Sequence, residues 1–350
     1  MRVLVTGGTG FLGAHTVAAL LGDGHEVRML VRHPDRVPGA LTPLGVDPGA
    51  VELAVGDVTD RADVRRAVDG CAGVLHAAGV YSFDPRRRAE MRNVNVTGAE
   101  VVLDAARAAG ADPVVHVSTF GALLPTTDRT VGPQTAVGTP REAYLAGKAA
   151  AETIARAHQA DGAPVVITYP LATLGPHDPQ VGDQLRRVRD VLRGLTPLWP
   201  TGGFPIGDVR DVAHLHRAVF TPGLGPRRYL APGRYVTTRE YLDALRRVTG
   251  RRLPALHLPA AALLPVAALA DLAQRALPFP LPVQYGAVYL CRAGTPVRTA
   301  ETTELLGGAP RPLDETMGDA VRWLHRAGLI GRAAAGRAAS DPAGATASTG

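Results

Sequence analysis

The sequence predicts an α/β protein, a doubly wound parallel sheet followed by a smaller C-terminal substrate-binding lobe, and three observations lead there. Short apolar runs alternate with segments of helical period through the first half of the chain. A glycine-rich stretch, Thr6-Gly7-Gly8-Thr9-Gly10-Phe11-Leu12-Gly13, joins the first such run to the first helix. After Pro170 the alternation gives way to shorter elements with frequent Pro and Gly.

Residues 2–5 read as a buried strand and 11–21 as a helix, so the glycines fall on a strand-to-helix turn. Gly7 permits the tight turn, Gly10 lets the backbone approach a pyrophosphate, and Gly13 allows the helix to pack closely on the sheet. The helix N-terminus adds N–H donors and positive potential, which makes the turn a phosphate cradle. A Walker P-loop is excluded, because no Lys-Ser/Thr follows the glycines. A second strand at 26–31 completes a βαβ unit. Strands at 51–55, 73–76, 113–117 and 164–169 follow, with helices at 61–68, 96–109 and 143–160 between them. Beyond Pro170, helices are expected at 181–193, at 211–220 behind an Asp211 cap, at 238–248 and at 314–324. This divides the chain into a dinucleotide-binding domain, 1–175, and a mainly substrate-binding lobe, 176–331, from which helix 211–220 returns to the first domain. Residues 332–350, mostly Ala, Gly, Ser and Thr, read as a disordered tail.

An NAD-specific site places an acid about twenty residues past the glycines to hold the ribose 2′-hydroxyl. Here that place holds Val31 and Arg32. An arginine pairs instead with a 2′-phosphate through fork-shaped, charge-assisted hydrogen bonds. NADP is therefore expected, with Arg32 as discriminator and Arg36 as helper; NAD is the alternative.

Composition narrows the partners. The chain has 350 residues and a formal net charge of +6, yet no dense lysine tract interleaved with aromatics, so nucleic acid is not expected. An anionic cofactor and a small-molecule substrate fit better. Cys71 and Cys291 stand far apart and the histidines show no ligand spacing, so neither a disulfide framework nor a metal site is expected. Val3 already lies in the first strand, leaving no room for a signal peptide; a cytoplasmic location is expected. Residues 253–270 carry no charge, and beyond Asp271 and Arg275 the chain is uncharged again up to Cys291. Six prolines interrupt 253–291 and alanine is abundant, which argues against a spanning helix. A buried wall of an apolar pocket is the preferred reading, and contact with a membrane surface the alternative.

In mid-chain, Tyr144 and Lys148 stand at i and i+4 and share one helix face. A phenol titrates near ~10, and an adjacent ammonium is expected to lower that value and tune the phenol as a proton donor. A proton donor beside a nicotinamide suits hydride exchange at a carbonyl.

The chain resembles the extended (atypical) short-chain dehydrogenase/reductases of the NAD-dependent epimerase/dehydratase superfamily. The resemblance covers 1–329. It rests on the glycine run, Gly56-Asp57-Val58-Thr59-Asp60, His76-Ala77-Ala78-Gly79, Asn93-Val94-Asn95-Val96-Thr97-Gly98, Val117-Ser118-Thr119, Tyr144-x-x-x-Lys148 and Gly175-Pro176. Residues 74–85 and 169–176 are similar to dihydroflavonol reductases, cinnamoyl-CoA reductases and 3β-hydroxysteroid dehydrogenases. The resemblance implies a Rossmann domain and a set of roles. Gly7, Thr9, Gly10, Phe11, Leu12 and Gly13 would cradle the cofactor, Asp57 and Val58 would contact adenine, and Ala77 and Ala78 would line the cofactor. Asn95 would hold the site together and Ser118 would border it. Pro170 and Leu171 would flank the nicotinamide. Thr119 would stabilise the developing alkoxide, with Ser118 less suited because neighbouring strand residues face opposite ways. Lys148 would also bind the nicotinamide ribose.

The leading expectation is an NADPH-dependent carbonyl reductase acting on an apolar molecule. A nucleotide-sugar epimerase or dehydratase with retained NAD is the alternative, and a non-catalytic dinucleotide sensor the second. The stretch 169–176 has neither the Arg nor the Asn that epimerases commonly carry there. Arg86–Arg88 and Arg186, Arg187, Arg189 and Arg193 read first as solvated faces, and second as sites for a phosphate-bearing substrate such as an acyl-CoA. Tyr81, Phe83, Trp199, Phe204, Phe279 and Tyr285 are candidates to line the pocket. Asp208, Arg210 and Asp211 are read as bridging the lobes. The helices at 96–109 and 143–160 would by resemblance form a homodimer interface.

Overall fold

The computed structural model describes residues 1–82, 85–274 and 285–340. Phe83, Asp84, Arg275, Phe279, the prolines at 278, 280 and 282, and the last ten residues of the expected tail lie outside the described residues.

The chain runs β1 (Arg2–Thr6), α1 (Phe11–Gly22), β2 (Glu26–Val31), α2 (Val37–Leu41), β3 (Val51–Val55), α3 (Arg61–Val68) and β4 (Gly73–His76). It continues through α4 (Arg88–Arg92), α5 (Gly98–Ala108), β5 (Val114–Val117), α6 (Ala143–Ala160) and β6 (Val165–Tyr169). Then come β7 (Ala172–Leu174), α7 (Asp183–Leu192), β8 (Leu198–Pro200), β9 (Gly203–Asp208), α8 (Val209–Ala218), β10 (Arg227–Leu230), β11 (Arg234–Thr237) and α9 (Thr238–Thr249). The last elements are β12 (Leu256–Leu258), α10 (Ala260–Gln274), α11 (Tyr285–Ala293), α12 (Ala300–Leu306), α13 (Leu313–Arg326) and α14 (Arg332–Ala335).

The central sheet is parallel, with strand order β10-β6-β5-β4-β1-β2-β3. The middle strands β4, β5 and β6 are buried at every position, as strands covered on both faces must be, and this is why they read as unbroken apolar runs. Alternation along β1 sends Val3 and Val5 to one core, with Val17 and Leu20 of α1 and Leu215 of α8. Leu4 goes to the opposite core, with Val64 of α3 and Val102 of α5. The reversal of strand order between β1 and β4 opens the crevice in which such sheets bind ligands.

The lobe has a three-stranded sheet, β11-β9-β7, and a two-stranded one, β12-β8. Both pack with α7, α9 and α13 around Trp199, Phe204, Tyr241 and Met317.

Several expectations need correction. The chain leaves the central sheet at Pro170, earlier than 175, because β7 already pairs with β9; β10 then returns to the sheet edge beside β6. The helix expected at 211–220 starts at Val209, capped by Asp208, whose Oδ1 accepts from Arg210 N at 2.8 Å. Asp211 instead accepts from the backbone N–H of Arg311 and pairs with its guanidinium. Residues 332–340 are ordered. Ala335 is fully buried, and Ala334 O accepts from Arg251 Nη1 at 3.0 Å. Small alanines that seemed to have nothing to bury fill the crevice beside α9 and α13.

The uncharged segment forms α10 and α11, packed on each other, and no helix among the described residues is long and apolar enough to cross a membrane. Only part of it is the expected pocket wall. Leu290 of α11 borders the main cleft, whereas Val266, Leu269 and Leu272 of α10 face solvent.

Candidate active site

A cleft of about 560 Å³ runs along the crevice of the central sheet. Its floor is the glycine turn. Gly7 has φ +75°, and a Cβ there would sit 2.6 Å from the backbone of Ala77 and Ala78. A Cβ on Gly13 would sit 2.1 Å from Gly7 O, so both positions exclude any side chain. Beneath the turn, Thr6 Oγ1 accepts from Ala78 N at 3.2 Å and lies 2.9 Å from His76 Nδ1, tying β1 to β4. Thr9, Gly10, Phe11, Leu12, Gly13, Ala77 and Ala78 border the cleft beside Gly7. Asn95 borders it too, and it braces the loop after β4 through Val80 N (2.7 Å) and Val80 O (3.0 Å).

The cleft is also lined by Tyr144, Lys148, Thr119 and Ser118. Helix α6 begins behind Glu142, whose carboxylate accepts from Tyr144 N (3.0 Å) and Leu145 N (2.8 Å). This cap aims the first turn, and with it Tyr144, into the cleft. One turn on, Lys148 Nζ donates to Val117 O at 2.7 Å. Thr119 Oγ1 accepts from Gly121 N at 3.3 Å and approaches Pro170 O at 3.4 Å, so it sits at the end of β5 where Pro170 and Leu171 also border the cleft. Ser118 borders it as well, contrary to simple alternation, because β5 ends at Val117 and the pleat does not extend to these residues. Its buried hydroxyl has no hydrogen-bond partner among the described residues.

The electrostatics differ from expectation. Burial raises the Tyr144 phenol and the Glu142 carboxylate adds to this, so the phenol is protonated at neutral pH. Lys148 does not lower it. Burial depresses the lysine itself to about 8, with Glu152 opposing the shift. Tyr144 is therefore poised in its proton-donor form.

Where β2 and β3 end, the residues Val31, Arg32, His33 and Arg36 line the cleft, with Gly56 and Val58 beside them, the end that would take the adenosine. Asp57 does not share this lining with its neighbours. Its carboxylate accepts from Thr59 N (2.8 Å) and Thr59 Oγ1 (2.7 Å) and lies 4.0 Å from Arg32. Arg87 and Glu90 face this end from the loop after β4.

At the other end, Ala172, Thr173, Asp178, Gln180, Gln184, Arg186 and Leu290 close the cleft. The linker here is strained: His177 has φ +61° and Val181 φ +47°, conformations unfavourable for non-glycine residues. Asp178 holds the linker by accepting from Gln180 N (3.0 Å) and Gly182 N (2.7 Å). Tyr81 lays its ring edge-on to Tyr144, with centroids 4.8 Å apart. Of the other aromatic pocket candidates, Trp199 and Phe204 are buried in the lobe core with Tyr241, and Tyr285 stacks on Tyr289. Within the basic cluster of α7, Arg187 lies over the Phe204 ring and Arg193 donates to Leu329 O, leaving Arg186 at the cleft. Sequence reasoning missed Glu142, Glu90 and Gln184. Glu142 alone left a signal, an acid just ahead of a helical run.

A strand-turn-helix glycine cradle facing Thr, Tyr and Lys across one crevice defines an NAD(P)-dependent oxidoreductase of the extended short-chain dehydrogenase/reductase type. The comparisons agree, and the chain belongs to the NAD dependent epimerase/dehydratase family, whose model matches residues 3–230. It is 32% identical to sterol demethylase protein B of Methylococcus capsulatus, over 94% of this chain and 100% of that protein. It is 29% identical to the 4-hydroxy-2-methyl-3-oxo-4-farnesyl-3,4-dihydroquinoline-1-oxide ketoreductase of Stigmatella aurantiaca, over 94% of this chain and 98% of that protein. Among solved structures, gox2253 superposes with a TM-score of 0.77 at 25% identity, covering 94% of this chain and 99% of its own.

Proposed function

We propose that the protein is an NADPH-dependent carbonyl reductase that reduces a ketone or aldehyde on an apolar small molecule, and in reverse oxidises the alcohol. The observation that carries this reading is that Tyr144, Lys148 and Thr119 border the same cleft as the glycine cradle. The cradle fits a dinucleotide: side chains are excluded at Gly7 and Gly13, and the unpartnered Ser118 hydroxyl borders the space. When bound there, the nicotinamide supplies or accepts the hydride. Tyr144 would donate its proton to the carbonyl oxygen, Thr119 Oγ1 would hydrogen-bond that oxygen, and the Lys148 ammonium would hold the ribose. Arg32, with Arg36, would meet the 2′-phosphate. Leu171, Ala172, Leu290 and Tyr81 give the substrate end an apolar face beside the polar Thr173, Asp178, Gln180, Gln184 and Arg186, and the two relatives named above carry sterol and farnesyl in their names. A cytoplasmic location belongs to the same reading.

The test is catalytic. Steady NADPH consumption with aryl, steroid or polyprenyl ketones supports the reading. Stoichiometric NAD released only on denaturation, with turnover of nucleotide sugars, would identify an epimerase instead.

A further inference from the structure

The adenosine end of the cleft is lined from distant parts of the chain. Arg32 projects from the end of β2. On the same cleft, Arg87 and Glu90 stand on the turn and short helix that follow β4. Glu90 grips the Arg87 guanidinium at two points, Nε to Oε2 at 2.8 Å and Nη2 to Oε1 at 3.0 Å. The two hydrogen bonds fix the plane of the guanidinium, which a single contact would not. The hydrogen bond from Arg87 holds the Glu90 carboxyl below the usual range, and the charge of Arg32 adds to that, so both arginines lie near one carboxylate. An exposed Arg–Glu pair contributes little to stability. Orientation of a planar donor at a cleft wall is a use that does not depend on stability.

A phosphate monoester carries about two negative charges at neutral pH. Arg32 alone is a poor match, since one guanidinium supplies one positive charge. We propose that Arg87 is the second arm of the clamp on the cofactor's 2′-phosphate, closing on it together with Arg32, with Glu90 as the residue that positions Arg87. This rests on the NADP reading above, and the experiment separates the two.

Dissociation constants for NADPH, NADH, 2′,5′-ADP and 3′,5′-ADP would be measured by calorimetry on wild type, Arg32→Ala, Arg87→Ala, Arg87→Lys and Glu90→Gln, with melting curves to confirm folding. Arg87→Ala is expected to weaken NADPH and 2′,5′-ADP about tenfold and NADH less than about twofold, the loss of one charge-assisted hydrogen bond. Arg87→Lys should recover part of that loss, because it keeps the charge and loses the fork. Glu90→Gln should weaken NADPH roughly threefold and leave NADH unchanged, as loss of orientation without loss of a cation predicts. If Arg32→Ala discriminates between NADPH and NADH but Arg87→Ala weakens both equally or neither, the second arm is refuted and the NADP reading stands. If neither variant discriminates, or wild type prefers NADH, both are refuted. Tighter binding of 3′,5′-ADP than of 2′,5′-ADP would assign the clamp to a different phosphate and also overturn the inference.

Discussion

The central sheet and the C-terminal lobe are held by different forces. The sheet is mostly Val, Leu and Ile between two apolar cores, and apart from Glu152, which is buried with Arg156, ion pairs of this half such as Arg61 with Glu100 and Asp104 lie exposed. The lobe is docked by buried and half-buried charges. Asp208, with a fully buried side chain, accepts from Arg210 at 2.9 and 2.7 Å and from Thr316 Oγ1 at 2.7 Å. Arg210 reaches on to Asp319 of α13 at 2.6 Å, and Asp211 pairs with Arg311. Burial pushes the Asp208 carboxyl up, but the hydrogen bonds from Arg210 and Thr316 outweigh it and hold the carboxyl below its ordinary value. A nonpolar core tolerates an extra charge on its outer surface; a polar joint fails when one partner is removed. The glycine cradle thus lies on the half packed around the two apolar cores, and the other end of the cleft spans the joint.

The comparison can be tested from its largest consequence down. Tyr144→Phe removes the proton donor and keeps the ring against Tyr81, so kcat should fall by about 10²–10⁴ while the melting temperature barely moves. Unchanged turnover would refute the chemistry assigned to the sheet half.

Asp208→Ala takes the acceptor from Thr316 Oγ1 and Arg210 N and leaves the Arg210 guanidinium only its pairing toward α13, so it should cost about 3 kcal/mol in unfolding by denaturant, whereas Arg61→Ala in the sheet half should cost less than about 1 kcal/mol. Equal costs would erase the distinction between the two regions.

Acid should act on the sheet half. Burial depresses His76 and His216 to about 3 and His116 well below its ordinary value, so all three are neutral when folded. Unfolded imidazoles protonate near ~6.5, so the unfolded chain binds more protons in the window below that value. Stability should be full above about 6.5 and fall by about 1.4 kcal/mol per pH unit for each such histidine as pH drops toward the folded values. His216→Gln should flatten that slope; an unaltered slope would contradict the assignment.

The smallest effect concerns alkali. Lys148 titrates at about 8, so reductase activity should decline as pH rises through that value, and a pH profile of kcat with no break there would refute the role of its charge.

Much of this site was legible in the sequence, because its logic is local. Gly7 and Gly13 serve a turn that closes within eight residues, and Tyr144 and Lys148 share a helix face by spacing alone. Asp208 and Asp211 show where local reasoning stops: both are good caps, and only the position of Arg311, a hundred residues on, draws Asp211 away. Arg87 read first as one of three solvated arginines and second as part of a site for a phosphate-bearing substrate; that it borders the same cleft as Arg32 came only from the tertiary structure. The ordered 332–340 segment was misread because composition measures bulk, whereas a narrow crevice selects alanine.

The sequence by itself determined the parallel sheet, the phosphate cradle and the Tyr–Lys pair, since each follows from periodicity or from contacts a few residues apart. Tertiary structure alone decided the state of those groups. Burial, a property of the assembled walls, keeps Tyr144 protonated and depresses Lys148, reversing the expectation drawn from their spacing. It also decided which residues line the two ends of the cleft, because both are built from loops whose neighbours are set by packing rather than by sequence order.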